Sequence, residues 1–137
     1  MTPYESPTAP QTPPLLGEAL TPWQMYFSLE GRITRADYWF SGVFALLVLG
    51  LVLTALLRIG GLNTEKAEGV VNVLLAWPAI AVSAKRWHDR DRSGWWVLVN
   101  MLPVVGWLWG LVDNGFMRGS LQSNRYGEPP RAPAGLL

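Results

Sequence analysis

The sequence predicts an all-α integral membrane helical bundle with three hydrophobic segments, and three observations predict it. The run from Tyr38 to Leu57 is twenty residues without a charge. At about 1.5 Å of helix per residue it covers a hydrocarbon core of about 30 Å. A second apolar run, Val70 to Ala84, and a third, Ser93 to Val112, follow it. Only 15% of the 137 residues are charged and half are hydrophobic, against roughly 25% charged in a typical soluble domain. A chain of this length has no interior thick enough to bury such helices on all sides, so lipid is the solvent the sequence asks for.

The elements follow in order. Residues 1–20, rich in Pro, Thr and Ser, show no hydrophobic period and are expected to form a disordered tail. The first thirty-one residues lack Lys and Arg, so the features of a cleaved signal peptide are missing and Tyr38 to Leu57 is expected to be a retained span. One membrane domain is expected over 21–130. Thr21, Pro22 and Gln24 form a helix start, predicting a short amphipathic helix over 22–30. With Trp23, Tyr26 and Phe27 on one face, it should lie in the membrane interface.

Thr34 with Asp37 repeats the capping pattern and opens a first span over 35–58, which Gly60 and Gly61 close. Asn63 and Thr64 offer the next cap. A second span over 65–87 would cover about 33 Å, with Lys66, Lys85 and Arg86 snorkelling at its ends. Its Pro78 should kink the helix on a side facing protein, where the freed Leu74 carbonyl finds a partner.

The third segment, 93–113, has two readings. Three full crossings are preferred, leaving six Lys and Arg on the amino-terminal side and five on the other. The alternative is a re-entrant hairpin turning at Pro103 to Gly106, which makes the tally nine against two and the cytoplasmic assignment firmer. Either way the amino terminus is expected to be cytoplasmic. Residues 131–137 are expected to be a second disordered tail.

Three motifs carry most of the chain's polar character: GRITRADYW from Gly31, RWHDRDRSGWW from Arg86, and NRYG over Asn124 to Gly127. Together they resemble the bacterial inner-membrane DUF805 family, over roughly Trp23 to Pro130. Ser123 departs from the family pattern, in which Glu or Pro more often precedes the Asn. The resemblance implies a bacterial cytoplasmic-membrane protein; it implies no activity.

Arg32, Arg35, Arg86, His88, Asp89, Arg90 and Arg92 are the candidate contacts for anionic headgroups or a partner, since cations just outside a span attract anionic lipid. If the motifs cluster, Arg32, Arg35, Arg86, His88 and Asp89 meet on one membrane face, with the arginines holding a phosphate or a partner carboxylate. Asn124, Arg125, Tyr126 and Gly127 are read as a turn before an extended tail.

His88 beside Asp89 suggests a general base or half a metal site. Neighbouring helical residues point about 100° apart, and the chain has one His and no Cys, so no catalytic residue, metal site or cofactor is expected. A net charge of +1 argues against nucleic acid. The apolar runs hold no Asp, Glu, Lys, Arg or His, and their polar side chains include Asn72, Ser83 and Asn100, which argues against an ion-coupled carrier. The preferred function is non-enzymatic association with lipids, a second copy or a membrane partner. An oligomeric channel or small-solute transporter and a headgroup-level enzyme using His88 and Asp89 are the alternatives.

Overall fold

The computed structural model describes residue 17 and residues 19–130. The expected closing tail, 131–137, and most of the expected leader lie outside them. Order begins before Thr21: the Gly17 N–H donates to the Pro129 carbonyl at 2.9 Å, and Leu20 packs on the core. Among the described residues the structure is helical, with no strand beyond two isolated bridges.

Helix α1, Pro22–Phe27, starts on the Thr21 and Gln24 capping box. It is shorter than 22–30 because the chain turns extended at Ser28. Trp23 and Phe27 stack at 4.4 Å and stay exposed, whereas Tyr26 turns inward and donates to the Ser41 carbonyl at 2.7 Å. The three aromatics therefore divide between two faces.

Helix α2, Arg35–Ile59, starts on the Thr34 and Asp37 box and passes through π-helical turns over Tyr38–Phe44. Near its start a Cβ on Gly42 would stand 2.6 Å from Val82 Cγ1, so only glycine lets α2 approach the next helix there. Two bonds close its far end: Leu62 N–H to the Leu57 carbonyl and Gly61 N–H to that of Arg58, each 3.0 Å. Gly61 takes the left-handed conformation this Schellman turn needs, at φ 99°.

Helix α3, Thr64–Asp89, is capped by Asn63, whose side chain accepts from Lys66 N–H at 3.0 Å. Pro78 lies inside it and is buried. Met25, Ile33, Tyr38 and Val82 form a small core where α1, α2 and α3 meet, while most large apolar side chains of α2 face outward, such as Phe40 at 71% exposure. That inversion of a soluble fold suits a helix pair solvated by acyl chains.

The segment expected as one span over 93–113 is two helices. A 3₁₀ helix, Gly94–Met101, ends at Leu102, and α4, Val105–Gly115, begins after Val104. Pro103 has no N–H to continue a helix and disfavours helical geometry at Leu102, which stands at ψ 117°. Val104 adopts φ 62°, a strained value for a β-branched residue. The limbs then fold together. A Cβ on Gly106 would run into the Val99 carbonyl, and one on Gly110 into the Asn100 side chain, so glycine permits the close antiparallel packing. Both ends return to the end of α3: the first leaves Asp89 through a short loop, and at the second Asn114 accepts from Arg86.

Candidate functional site

The end of α3 is where the three motifs converge. The helix closes with a second Schellman turn: Arg92 N–H reaches the Trp87 carbonyl at 3.0 Å and Asp91 N–H that of His88 at 2.9 Å. Asp91 holds the left-handed position at φ 56°, which Asp tolerates better than most residues. This turn aims Asp89 back towards Arg32 and sends the chain into the hairpin.

Asp89 is gripped from two sides. Arg32 Nε and Nη2 donate to Oδ1 at 3.1 and 2.9 Å, and Arg86 Nη1 pairs with Oδ2. The remaining guanidinium donors find backbone carbonyls: Arg32 reaches Gln122 at 2.9 Å, Gly127 at 3.0 Å and Ser120 at 2.5 Å. Arg86 Nε reaches Asn114 at 2.6 Å, and its Nη2 reaches Met117. Both arginines are buried, Arg86 completely. Two cations and one carboxylate share a water-poor site, with surplus positive charge solvated by carbonyl dipoles.

Ser120 and Gly119 complete the clasp. Ser120 N–H and Oγ both donate to the Asp89 carbonyl, at 2.8 and 3.0 Å, and a Cβ on Gly119 would overlap the Asp89 carboxylate. The expected turn at Asn124 to Gly127 is present, as paired bonds between these two residues at 3.1 Å. It is docked rather than free: Asn124 Nδ2 donates to the His88 carbonyl and to Ser120 Oγ, each at 2.9 Å. Tyr126 stacks on His88 with centroids 3.8 Å apart, and Arg125 Nε donates to Asp91 Oδ1 at 3.1 Å. That hydrogen bond holds the Asp91 carboxyl below the usual carboxylate range and raises Arg125.

The other candidates sit around this centre. Arg90 pairs with Asp113, and Arg92 Nη1 stands 3.8 Å from the same carboxylate and over the Trp87 and Trp96 rings at 5.8 and 5.2 Å. Arg35 is exposed and donates to the Phe116 carbonyl at 3.2 Å. Trp39 Nε1 reaches that of Gly115 at 3.1 Å, so the start of α2 clamps the end of α4. Lys85, expected to snorkel, is fully buried and donates to the Met25 carbonyl at 3.2 Å and to that of Ser28.

Two expectations are thereby corrected. Arg32 and Arg86 hold an internal carboxylate instead of a phosphate, and their burial keeps them from any headgroup. Arg35 is committed to the α4 end and is not part of the Asp89 cluster. The side chains of His88 and Asp89 turn to different partners: His88 Nδ1 faces the Gly31 carbonyl at 3.3 Å, while Asp89 faces its arginines. Asp113 reads in the sequence as an acceptor of water or a cation at the close of the third segment; sequence reasoning missed Gly119, Ser120 and the arginine partners of Asp113. The signal for Asp113 was its rarity: an acid at the edge of a charge-poor segment wants a cation, and Arg90 and Arg92 are the nearest spare ones. Among the described residues no three His, Asp or Glu side chains are gathered as metal ligands.

A helical integral membrane protein whose segments are locked together at one end by a buried Arg, Asp and Arg cluster is the class these features define. The chain belongs to the DUF805 family, described as proteins of unknown function, whose sequence profile matches residues 26–128. It is 33% identical over 110 residues to the inner membrane protein YhaH of Escherichia coli K12, covering 77% of this chain and 89% of the relative. It is 34% identical over 108 residues to the inner membrane protein YhaI of the same strain, covering 77% and 88%. An uncharacterised protein, YiiR, is 38% identical over 95 residues, covering 65% of this chain and 58% of the relative. No solved structure matches.

Proposed function

We propose that the chain is a non-enzymatic, two-pass bacterial inner-membrane protein that acts by association within the bilayer. In this reading α2 and α3 cross, the 3₁₀ helix and α4 form a re-entrant hairpin, and both ends lie on the cytoplasmic face. The hairpin limbs support the topology, because each is only about 16 Å long, too short to cross. With both limbs returning, nine Lys and Arg lie on the cytoplasmic side against Arg58 and Lys66 on the other.

The observation that carries association is the outward face of α3. Gly69, Asn72, Ala76 and Ala79 are exposed and Ser83 half-exposed, and their spacing of three and four residues places them in one stripe. Among the described residues the Asn72 side chain has no hydrogen-bond partner. Small residues let helix backbones approach in lipid, and an amide there gains most from a partner across the contact.

A single cysteine at Ala76, in a chain that has none of its own, tests this in native membranes. Mild oxidation is expected to yield a crosslinked dimer, or a crosslink to one stoichiometric partner, which Asn72→Leu weakens. No crosslinked product at Ala76 would remove the association reading. A reporter fused after Leu137 tests the topology, and is expected on the same face as the amino terminus.

A further inference from the structure

Along α4 runs an apolar groove of about 420 Å³ lined by Val105, Leu108, Trp109, Val112, Asp113 and Met117, a size within the usual range for small-ligand sites. Its lining follows the helix from the hairpin tip at Val105 to the polar cluster at Asp113, so one end is oily and the other charged. The acid at the charged end is flanked by cations. Arg90 and Arg92 share the single carboxylate of Asp113. Arg118, exposed, directly follows Met117, and exposed Arg35 is bonded to Phe116. Among the described residues neither Arg35 nor Arg118 has a carboxylate partner, and nearby Asp37 is occupied in the cap of α2. Counting Arg35 and Arg118, four guanidinium groups therefore lie near this end of α4 against two acids, Asp113 and Asp37.

We propose that this groove holds one acyl chain of an anionic phospholipid, whose headgroup phosphate lies between Arg35 and Arg118. The proposal rests on the re-entrant topology, which puts the groove at membrane depth and its cationic mouth at headgroup level. The match is of shape and charge together: an apolar slot of helix length ending beside a surplus of arginines fits an anionic lipid, whereas a wholly apolar peptide would leave that surplus without a partner. Lys and Arg near a membrane surface favour anionic over neutral lipid, and guanidinium pairs with phosphate through two donors at once.

The test uses the full chain in a mild non-ionic detergent, freed of native lipid and offered equal amounts of phosphatidylglycerol and phosphatidylcholine of the same chain length. Bound lipid is counted by native mass spectrometry. The wild type is expected to retain phosphatidylglycerol about tenfold over phosphatidylcholine. Arg118→Gln with Arg35→Gln should bring the ratio near one, and Leu108→Trp, at an exposed site that fills the groove, should reduce retention of both lipids while helical content is unchanged. Arg118→Gln alone, which breaks no hydrogen bond among the described residues, should lower the ratio on its own.

Equal retention of the two lipids by the wild type, or a preference that survives both the arginine changes and the filled groove, would overturn the proposal. So would displacement by free glycerol 3-phosphate, which would make this a phosphate site without need of the chain. A changed oligomeric state in Leu108→Trp would place a second copy in the groove instead. A reporter that still finds both termini on one face leaves the topology standing when the lipid reading fails; a carboxy terminus on the opposite face removes both.

Discussion

The two ends of the α2 and α3 pair are built on different principles. At the far end the chain turns from Ile59 to Thr64 with a glycine-closed Schellman turn and an Asn63 cap, and the charges there, Arg58, Glu65 and Lys66, are all exposed. The hydrogen bonds of this turn span five residues or fewer. At the near end, bonds join residues up to 95 positions apart, and Arg32, Lys85, Arg86 and Asp89 are buried. The far end needs only to satisfy the backbone where the helices stop. The near end must hold α1, two long helices, a hairpin and a closing turn in one register, in a bilayer where apolar packing gives little preference for one arrangement. Buried charge supplies the specificity that oil on oil lacks, and that is why all three motifs fall at this end.

The largest effect expected from breaking this contrast comes from Asp89→Ala. It leaves Arg32 and Arg86 facing each other without a counter-charge, and removing one partner of a buried ion cluster costs about 3–5 kcal/mol. Unfolding in mixed detergent should show this loss, while a matching change at the far end, Glu65→Ala, leaves the midpoint nearly unmoved. A near-wild-type midpoint for Asp89→Ala would mean the cluster does not hold the fold.

A middle-sized effect is expected in the hairpin. Gly110→Val places side-chain atoms where Asn100 sits, and overpacking of this kind costs about 1–3 kcal/mol. The limbs should splay, and with them the contact of Trp39 with Gly115. The outcome is readable as increased protease cleavage near Pro103 in detergent, whereas Gly69→Val, into open space on α3, should leave the hairpin intact.

How much of this was legible follows the same division. The capping boxes at Thr21 and Thr34 and the stop at Gly60 and Gly61 could be read because their chemistry lies within three or four residues. The family and the two long helices were legible from motif and hydropathy. The partners of the near-end arginines were not, because a guanidinium beside a span reads equally well as a headgroup contact or as half of a buried pair, and only distant chain closure decides. Lys85 and Arg86 were expected in water for that reason. The hairpin turned on Pro103, Gly106 and Gly110; the break was visible, but the fit of Gly106 beneath the Val99 carbonyl was not.

At the far end the comparison is sharpened by Asn63→Ala. Losing one N-cap acceptor costs about 1 kcal/mol, and nothing at the near end should respond. Thermal unfolding that falls by a few degrees with the Trp39 and Phe116 contact unaltered would match this; a change in near-end protease sensitivity would mean the two ends are coupled.

The smallest effect belongs to the one ion pair at the near end that is built like the far end, Arg125 with Asp91. Both side chains are about half exposed or more, so salt screens them over about 8 Å, and the pair matters through its pH dependence. Because the Arg125 hydrogen bond lowers Asp91 in the fold, the pair stabilises fully above the ordinary carboxyl value of about 3.9. That contribution is lost as pH falls through the lowered folded value. The stability gap between wild type and Arg125→Gln should therefore be constant near neutral pH at low salt and close only in acid. A gap that grew from pH 6 to pH 8 would assign it to another group. Its smallness is informative, since Asp89, only two residues away, is expected to produce the largest loss; what separates the two acids is burial, not sequence position or charge.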